Sequence, residues 1–537
     1  MDKYINPIRV VKATDAFCYE NILGGKSAQI PFIREGLEYG IAKDCTRIND
    51  GGYILLDYGK ELHGCIRVFV QSVTDINTKL KITFGESAME AFTENGVKNS
   101  GNHHSIREYE IPAVRLSMQK VGEIGFRFVK IQAVGGDVSL YCATAVPEIR
   151  DLEYKGSFRC NDERLNEIWQ TGAYTVQLNV HDYIWDGVKR DRLVWIGDMH
   201  PEVSTVRCVF GKDKSVPRSL DFERDAAPPD VWMNKIATYS MWWIIIQHDW
   251  YMHWGDIQYL SEQREYLEKL MEKIFGWMDS GAAVGEGMEG FVDWSSLEEA
   301  DKEEGRKAIT AIALNCAAEM FEAFGDNTRS EKCRTYRDAL LKEETYETNK
   351  RISGLTVLSG RNSEFARKVI GGNSPKEMST FIGYYVLKAK AMLGEHKEAL
   401  DIIRNYWGAM LGKGATTFWE EFNIEWAEDS GRIDELTPDG LKDIHSDFGK
   451  NCYRGFRHSL CHGWASGPTP FLMEQIGGIE ILEPGCRKVR ISPNLCDLDW
   501  IEVEYPTPFG SISIKAKQEN GKTVTDISAP KEIEIIR

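Results

Sequence analysis

Residues able to carry out acid–base chemistry are concentrated in one segment, His181 to Asp198, which holds four Asp, three cationic residues and two Trp within 18 residues. A carboxyl beside Arg or Lys has a depressed pKa, whereas one buried against Trp has a raised pKa. This mixture therefore suits a general acid held near ionised carboxylates. The alternative is a surface loop with ordinary Asp–Arg pairs, which the paired Trp residues and Gly197 disfavour.

A second candidate segment runs from Gly414 to Phe422 and places Glu420 and Glu421 directly after Trp419. A carboxylate in aromatic surroundings is suited to act as a general base that activates water. The alternative interpretation is a helix cap whose glutamates are solvated. Both interpretations stay open at this point.

Two weaker candidates lie elsewhere in the chain. The segment from Phe291 to Ser295 sets Asp293 beside Trp294, and its alternative is a structural loop. The Gly-rich segment from Ser459 to Pro468 contains His462. A lone histidine is more often a satisfied structural residue than a catalyst.

The sequence lacks the motifs that mark several other classes of enzyme. The chain contains no GxSxG, GxxxxGK[ST] or HExxH pattern. Gly285 to Gly290 fits GxGxxG spacing, but it is acidic and follows a helical pattern, so we predict a flexible loop. The span from Asp186 to Asp198 contains Arg residues and is not a calcium loop. We expect no cofactor and no metal, and the remaining carboxylates with aromatic platforms favour glycoside chemistry.

The composition of the 537 residues limits the classes of molecule that the protein is expected to bind. The net charge of −17 disfavours nucleic acid and anionic membranes, and no apolar stretch approaches the length of a membrane span. We expect a small-molecule glycoside or oligosaccharide as the ligand, and a homo-oligomer stays open. Residues 1–6 lead into no visible signal peptide and the 12 cysteines are typical of buried thiols, so we expect a cytoplasmic protein.

The elements that must position these residues change type along the chain. Alternating β-rich runs at 53–58, 65–70, 79–84 and 126–131 predict an N-terminal β-sandwich over 1–152. From about 155 the apolar period becomes 3.6, and roughly ten to twelve helices over 153–475 favour a closed toroid over a solenoid, because no fixed repeat is found. Strand patterns return after Pro484-Gly485 and predict a small β unit over 476–537.

The motifs and this order of elements resemble the α-L-rhamnosidases of glycoside hydrolase family 78, and the likeness covers nearly the whole chain. The segment 186–198 is similar to the family's acidic loop D-C-P-x-R-D-E-R-x-x-W-x-G-D. Four further stretches resemble family segments: 414–420 is similar to G-A-T-T-x-W-E, 459–462 to S-x-N-H, 291–294 to G-D-W, and Ile491-Ser492-Pro493 to the closing turn.

The resemblance implies a central (α/α)6 toroid flanked by N-terminal and C-terminal β-sandwich domains, and an inverting exo-glycosidase that removes terminal α-L-rhamnosides. Glu420 would be the general base. The sequence departs from the family at R-D-R, where one residue and the usual general-acid Glu are missing. A gap placed before Lys189 puts Asp191 at the acid position. Inversion would then require Asp191 and Glu420 to lie about 6.5–9.5 Å apart.

The residues expected to contact the sugar are Asp186, Arg190, Arg192, Trp195, Asp198, Asp293, Trp294, Trp419 and His462. A second departure is Cys461, which stands where the family has Asn before the histidine. Two alternatives stay open: a catalytically impaired carbohydrate-binding homologue, suggested by the missing Glu, and a toroid glycosidase acting on another deoxy-sugar.

Overall fold

A computed structural model describes residues 4–24, 44–101, 104, 106–280, 290–294, 298–361 and 363–537. Residues 285–289 of the predicted flexible loop lie outside these ranges. Within them, no helix has the length and apolar character needed to cross a membrane.

The N-terminal part of the chain folds into a β-rich unit. Its sheet has the order β1-β2-β5-β3-β4, with β6 paired to β2, and a short helix α1 follows β3. The long strand β2 pairs antiparallel with both β5 and β6, so the sheet wraps around its own apolar core. The bounds are β1 Arg9–Phe17, β2 Thr46–Val73, β3 Lys79–Gly85, α1 Ala88–Phe92, β4 Glu108–Pro112, β5 Ser117–Val134 and β6 Val138–Pro147.

The prediction that β5 has one buried and one exposed face is wrong. The alternation of apolar and basic residues at 126–131 predicts one buried and one exposed face, yet Arg127 and Lys130 are only 6% and 8% exposed. Both basic side chains are covered: Arg127 pairs with Asp57 at 2.8 Å and donates to the carbonyl of Gly414 in the helical domain, and Lys130 lies over the Tyr53 and Phe92 rings.

Twelve helices, α2 to α13, follow among the described residues and form a toroid. Alternate helices α3, α5, α7, α9, α11 and α13 pack successively on one another, and α13 returns to α3, which closes an inner ring. The other six form the outer layer. The bounds are α2 Glu163–Asn179, α3 Met199–Thr205, α4 Ser215–Ala226, α5 Ala237–Trp254, α6 Ile257–Asp279, α7 Glu299–Ala323, α8 Asn327–Lys342, α9 Lys350–Leu358, α10 Glu364–Ile370, α11 Gly383–Met392, α12 His396–Gly412 and α13 Pro468–Phe471.

Sequence explains which helices are inner. In α5 the run from Met241 to Ile246 is apolar all round and completely buried, as a central helix requires. The outer helix α6 is amphipathic and buries one stripe that includes Leu260, Leu267 and Ile274. The sequence Asn161-Asp162 predicts a cap for the first helix, and the Asp162 side chain accepts from the amides of Arg164 and Leu165.

The C-terminal β-rich unit consists of two small sheets. Their orders are β12-β11-β10-β7 and β13-β9-β8. Strand β7 precedes the first toroid helix, so the chain enters and leaves the toroid at the same unit. The predicted succession of β-rich unit, helical toroid and β-rich unit is thus observed. The bounds are β7 Ser157–Cys160, β8 Ile479–Glu483, β9 Lys488–Ile491, β10 Trp500–Thr507, β11 Gly510–Glu519, β12 Lys522–Ser528 and β13 Glu534–Ile536.

Candidate active site

Backbone hydrogen bonds join three of the predicted segments although they are far apart in sequence. The amide of Gly463 donates to the carbonyl of Asp186 at 3.1 Å, and the amide of His462 donates to that of Phe418 at 3.0 Å. The amide of Glu420 donates to the carbonyl of Ser459 at 3.0 Å. These bonds fix the acidic loop, the Gly414–Phe422 segment and the histidine segment side by side.

The three segments and the Phe291–Trp294 loop surround a cavity of about 230 Å³, which we call the first cavity. Both predicted catalytic residues and six of the predicted sugar contacts line it: Asp186, Arg190, Asp191, Trp195, Asp198, Trp294, Glu420 and His462. The sequence motifs therefore predicted which distant residues meet here.

The Arg190 guanidinium lies between the two proposed catalytic carboxyls. It hydrogen-bonds to Asp191 through Nη1 and to Glu420 through Nη2, and its Nε donates to the carbonyl of Arg457 at 2.8 Å. The other oxygen of Glu420 accepts from the amide of Ser459 at 3.1 Å. Charge-assisted hydrogen bonds of this kind hold a carboxylate in one orientation.

Asp191 lies in a strained turn at the mouth of the first cavity. Asp191 and Arg192 have φ values of 57° and 51°, in the left-handed region that non-glycine residues rarely adopt. The carbonyl of Asp191 lies 2.8 Å from His104 Nδ1 of the N-terminal unit. This strained turn is located where the acidic loop is one residue shorter than the family pattern.

Two other aspartates lie deeper and have raised pKa values. Burial raises the pKa of Asp198 to about 8, although Tyr239 donates to it at 2.7 Å. Burial followed by the nearby Asp191 raises the pKa of Asp186 well above its usual range. Gly197 makes this arrangement possible, because a Cβ there would lie 2.2 Å from the Tyr239 ring. Both deep aspartates are therefore poised to be neutral.

His462 lies among the carboxyl groups. Its Nε2 atom is 3.8–3.9 Å from oxygens of Asp186, Asp198 and Glu420. Burial lowers the pKa of His462 well below its usual value, so the ring is neutral. Behind it lies Glu202, a fully buried carboxyl that has no hydrogen-bond partner within the described ranges. Burial, followed by Asp198, raises the pKa of Glu202 strongly.

Three predicted sugar contacts do not line the first cavity. Arg192 turns to the N-terminal unit, where it hydrogen-bonds to the carbonyl of His104 and lies over the Trp185 ring. Trp419 is 1% exposed and packs edge-on against Phe422. Asp293 is also 1% exposed. The structure therefore places none of these three in the lining of the first cavity.

Sequence reasoning did not assign six other lining residues, namely Ile236, Tyr239, Phe291, Cys452, Arg457 and Trp464. Tyr239 is hidden in the apolar helix α5, where no spacing marks it. Arg457 lies in a short turn just before the histidine segment, and its proximity to that segment was the available signal. Trp464 lies in the Gly-rich segment from Ser459 to Pro468, two residues after the predicted His462.

The N-terminal unit contacts the acidic loop through a buried ionic cluster. Lys189 Nζ lies 3.0 Å from Glu86, 3.3 Å from Glu90 and 3.5 Å from His445. Within the described ranges these three partners form the group with the ligand types and spacing of a metal site, but the Lys189 ammonium lies among them. Burial raises the pKa of Glu86 to about 7, and this side chain accepts from the amide of Leu460 at 2.6 Å.

Comparisons with known proteins agree with the fold. Residues 153–347 match the bacterial α-L-rhamnosidase six-hairpin glycosidase domain, and residues 478–535 match the bacterial α-L-rhamnosidase C-terminal domain. An α-L-rhamnosidase from Formosa agariphila is 26% identical over 179 residues, which are 32% of this chain and 18% of that protein. The predicted family resemblance is confirmed.

Solved structures extend the likeness over almost the whole chain. The family 78 rhamnosidase of Bacillus sp. GL1 has a TM-score of 0.74 at 21% identity, covering 96% of this chain and 55% of that one. The rhamnose-bound rhamnosidase of Klebsiella oxytoca has a TM-score of 0.67 at 17% identity, covering 88% and 95%. The chain thus spans about half the length of the Bacillus structure, and the predicted fold class is confirmed.

Proposed function

We propose that the chain hydrolyses terminal α-L-rhamnosides in the first cavity. The observation that carries this proposal is the convergence of Asp186, Asp191, Asp198 and Glu420, from two distant segments, around one small cavity. Acidic groups in distinct environments are what glycoside hydrolysis requires. The small volume favours a single terminal sugar ring, and the matched relatives are α-L-rhamnosidases.

In the proposed mechanism Glu420 is the general base and Asp191 the general acid. Glu420 takes a proton from water as the water attacks the anomeric carbon, and Asp191 gives its proton to the leaving oxygen as the glycosidic bond breaks. A single displacement inverts the anomeric configuration. The proton donor must lie on the side of the cavity from which the leaving group departs. The side chain of Asp191 is 17% exposed, against 5% for Glu420.

The deep carboxyls support sugar binding in this mechanism. A neutral Asp186 or Asp198 both donates and accepts hydrogen bonds, which suits sugar hydroxyls. Asp198 is the competing proton donor, because it holds a proton near neutral pH without any change in the Arg190 contacts.

The first test measures hydrolysis of 4-nitrophenyl α-L-rhamnoside by the wild type and by Glu420→Gln and Asp191→Asn. General acid–base groups contribute roughly 10²–10⁴-fold, so we expect kcat to fall by that range in each variant. Asp182→Asn is the matched control, because Asp182 lies on the same loop with a 78% exposed side chain. Nuclear magnetic resonance of the first-formed rhamnose anomer tests inversion. Loss in Asp198→Asn with an active Asp191→Asn would transfer the donor role to Asp198.

The second candidate is a carbohydrate-binding homologue with impaired catalysis. The observation that favours it is the Arg190 guanidinium, which hydrogen-bonds to both proposed catalytic carboxyls, Asp191 and Glu420. Calorimetric binding of L-rhamnose by a wild type that hydrolyses no rhamnoside would support this candidate and overturn the hydrolase proposal.

A further inference from the structure

A larger second cavity, of about 530 Å³, lies beside the first. Trp294 lines both cavities. Two chain segments also contribute to both: Glu420 lines the first and Glu421 the second, while Cys452 lines the first and its two neighbours line the second. The cavities are therefore adjacent spaces that share a wall one residue thick.

The second cavity combines aromatic faces with polar groups. Trp426 stacks on Phe448, with ring centroids 5.5 Å apart and an interplanar angle of 18°. Both rings are partly exposed, as is the shared Trp294. Such faces pack against the C–H surfaces of a ring-shaped ligand.

The polar side of this lining includes Arg351, Asn423 and Glu421. The Glu421 side chain is buried, and burial raises its pKa well above the usual range. A neutral carboxyl both donates and accepts hydrogen bonds, as a hydroxyl group demands of its partner. Pockets for flat apolar ligands are lined mainly by hydrophobic and aromatic side chains with few polar groups. The mixed lining here instead matches a ring that carries several hydroxyl groups.

We propose that the second cavity binds the sugar to which the terminal rhamnose is attached, so that the substrates are short rhamnosyl oligosaccharides. This inference rests on the proposed function. A disaccharide would place its terminal ring in the first cavity and its second ring against Trp294 and Trp426. The glycosidic oxygen would then lie near the shared wall, within the first cavity that Asp191 also lines.

The experiment compares three substrates that differ only beyond the terminal rhamnose. α-L-Rhamnosyl fluoride has a leaving group too small to use the second cavity, α-L-rhamnosyl-glucose places a sugar there, and a rhamnosylated flavonol places a polyphenol there. Each is assayed with the wild type, Trp426→Ala and the control Trp232→Ala. Trp232 is also partly exposed and packs edge-to-face against another tryptophan, Trp277, but it lines neither cavity.

We expect Trp426→Ala to lower kcat/KM for rhamnosyl-glucose by about tenfold or more, because a large aromatic contact is lost. The same variant should leave rhamnosyl fluoride within about twofold, and Trp232→Ala should leave all three substrates within that range. An equal loss on rhamnosyl fluoride and rhamnosyl-glucose, or no loss on either, would overturn the inference. A loss confined to the flavonol glycoside would reassign the cavity to polyphenols. A wild type that hydrolyses none of the three would instead refute the proposed function.

Discussion

The two β-rich units contact the toroid in different ways. The main apolar core of the N-terminal unit is a separate cluster, and its contacts with the toroid include buried ionic and polar pairs, such as Lys189 with Glu86 and Arg127 with the Gly414 carbonyl. Among the described residues, apolar contact between the two is confined to small clusters, such as the one that joins Leu55 and Phe128 to Leu436. The apolar residues of the C-terminal unit, including Ile501 and Val503, belong to the same core cluster as the toroid helices. The N-terminal unit therefore acts on the orientation of site residues, and the C-terminal unit acts on the stability of the toroid.

The chemistry of each contact explains this division. Apolar contact is non-directional and scales with buried area, so the C-terminal unit stabilises the toroid without fixing any one side chain. Buried charges are costly to desolvate and need good geometry, so Lys189, Glu86 and Glu90 fix the acidic loop in one position. Such intact pairs add little net stability and fix geometry, but removing one partner is costly because it leaves a buried charge unpaired.

Lys189→Met should produce the largest effect, because it removes the cation that the buried Glu86 and Glu90 share. Breaking a buried ion pair costs about 3–5 kcal/mol, and the acidic loop loses its anchor, so rhamnoside hydrolysis should fall with stability. Urea unfolding and the 4-nitrophenyl rhamnoside assay measure both effects. Lys120→Met is the control, because Lys120 is exposed and pairs with an exposed Glu148. An unchanged unfolding midpoint in Lys189→Met would contradict the interpretation.

The next prediction compares Ile501→Ala with Ile82→Ala, two fully buried positions in the two β units. Each substitution should cost about 2–5 kcal/mol by leaving a cavity. All 15 tryptophans lie after residue 152, so tryptophan fluorescence reports on the toroid and the C-terminal unit. Ile501→Ala should lower the fluorescence midpoint in urea, whereas Ile82→Ala should lower amide-exchange protection of the N-terminal strands and leave that midpoint unchanged. Equal fluorescence shifts would mean that the N-terminal unit unfolds together with the toroid.

The sequence predicted those parts of the molecule that depend on local pattern. Strand alternation, the 3.6 period and the Asp162 cap gave the order of elements, and the motifs gave eight residues of the first cavity. It did not predict features that depend on contacts between distant elements. Tyr239 reaches Asp198 only because α5 is an inner helix, and the buried state of Arg127 requires the toroid to cover β5. The prediction that Trp419 contacts the sugar was not met by the cavity lining, because side-chain direction along an irregular segment follows no sequence period.

Glu86→Gln tests whether the N-terminal unit orients the active-site residues. The substitution keeps the size of the side chain but replaces the carboxyl group with an amide. Glu86 accepts from the amide of Leu460, and the preceding Ser459 amide donates to Glu420. We expect kcat for the rhamnoside to fall roughly tenfold with KM nearly unchanged, since about 1.4 kcal/mol of orientation is lost at the base. Glu110→Gln, on the exposed face of the same unit, is the control. A KM effect with normal kcat would argue against a role in orienting Glu420.

The last prediction is a pH dependence of stability that differs between Asp198 and Asp213, two aspartates that follow the N-terminal unit in the sequence. Burial raises the pKa of Asp198 to about 8. Between its unfolded value of about 3.9 and that pH the folded chain binds more protons, so its contribution to stability falls as pH rises. Burial also acts on Asp213, but hydrogen bonds from Arg150 outweigh it and lower the pKa to about 2.

Asp213 therefore contributes a constant stabilisation above about pH 4, which is lost only as pH falls towards 2. Urea unfolding from pH 5 to 8 should show Asp198→Asn gaining on the wild type by at most about 1.4 kcal/mol per pH unit, with Asp213→Asn at a constant deficit. A pH-independent difference for Asp198→Asn would mean that Asp198 is already ionised at pH 5. Asp198 would then be unable to serve as the competing proton donor, which would leave that role to Asp191.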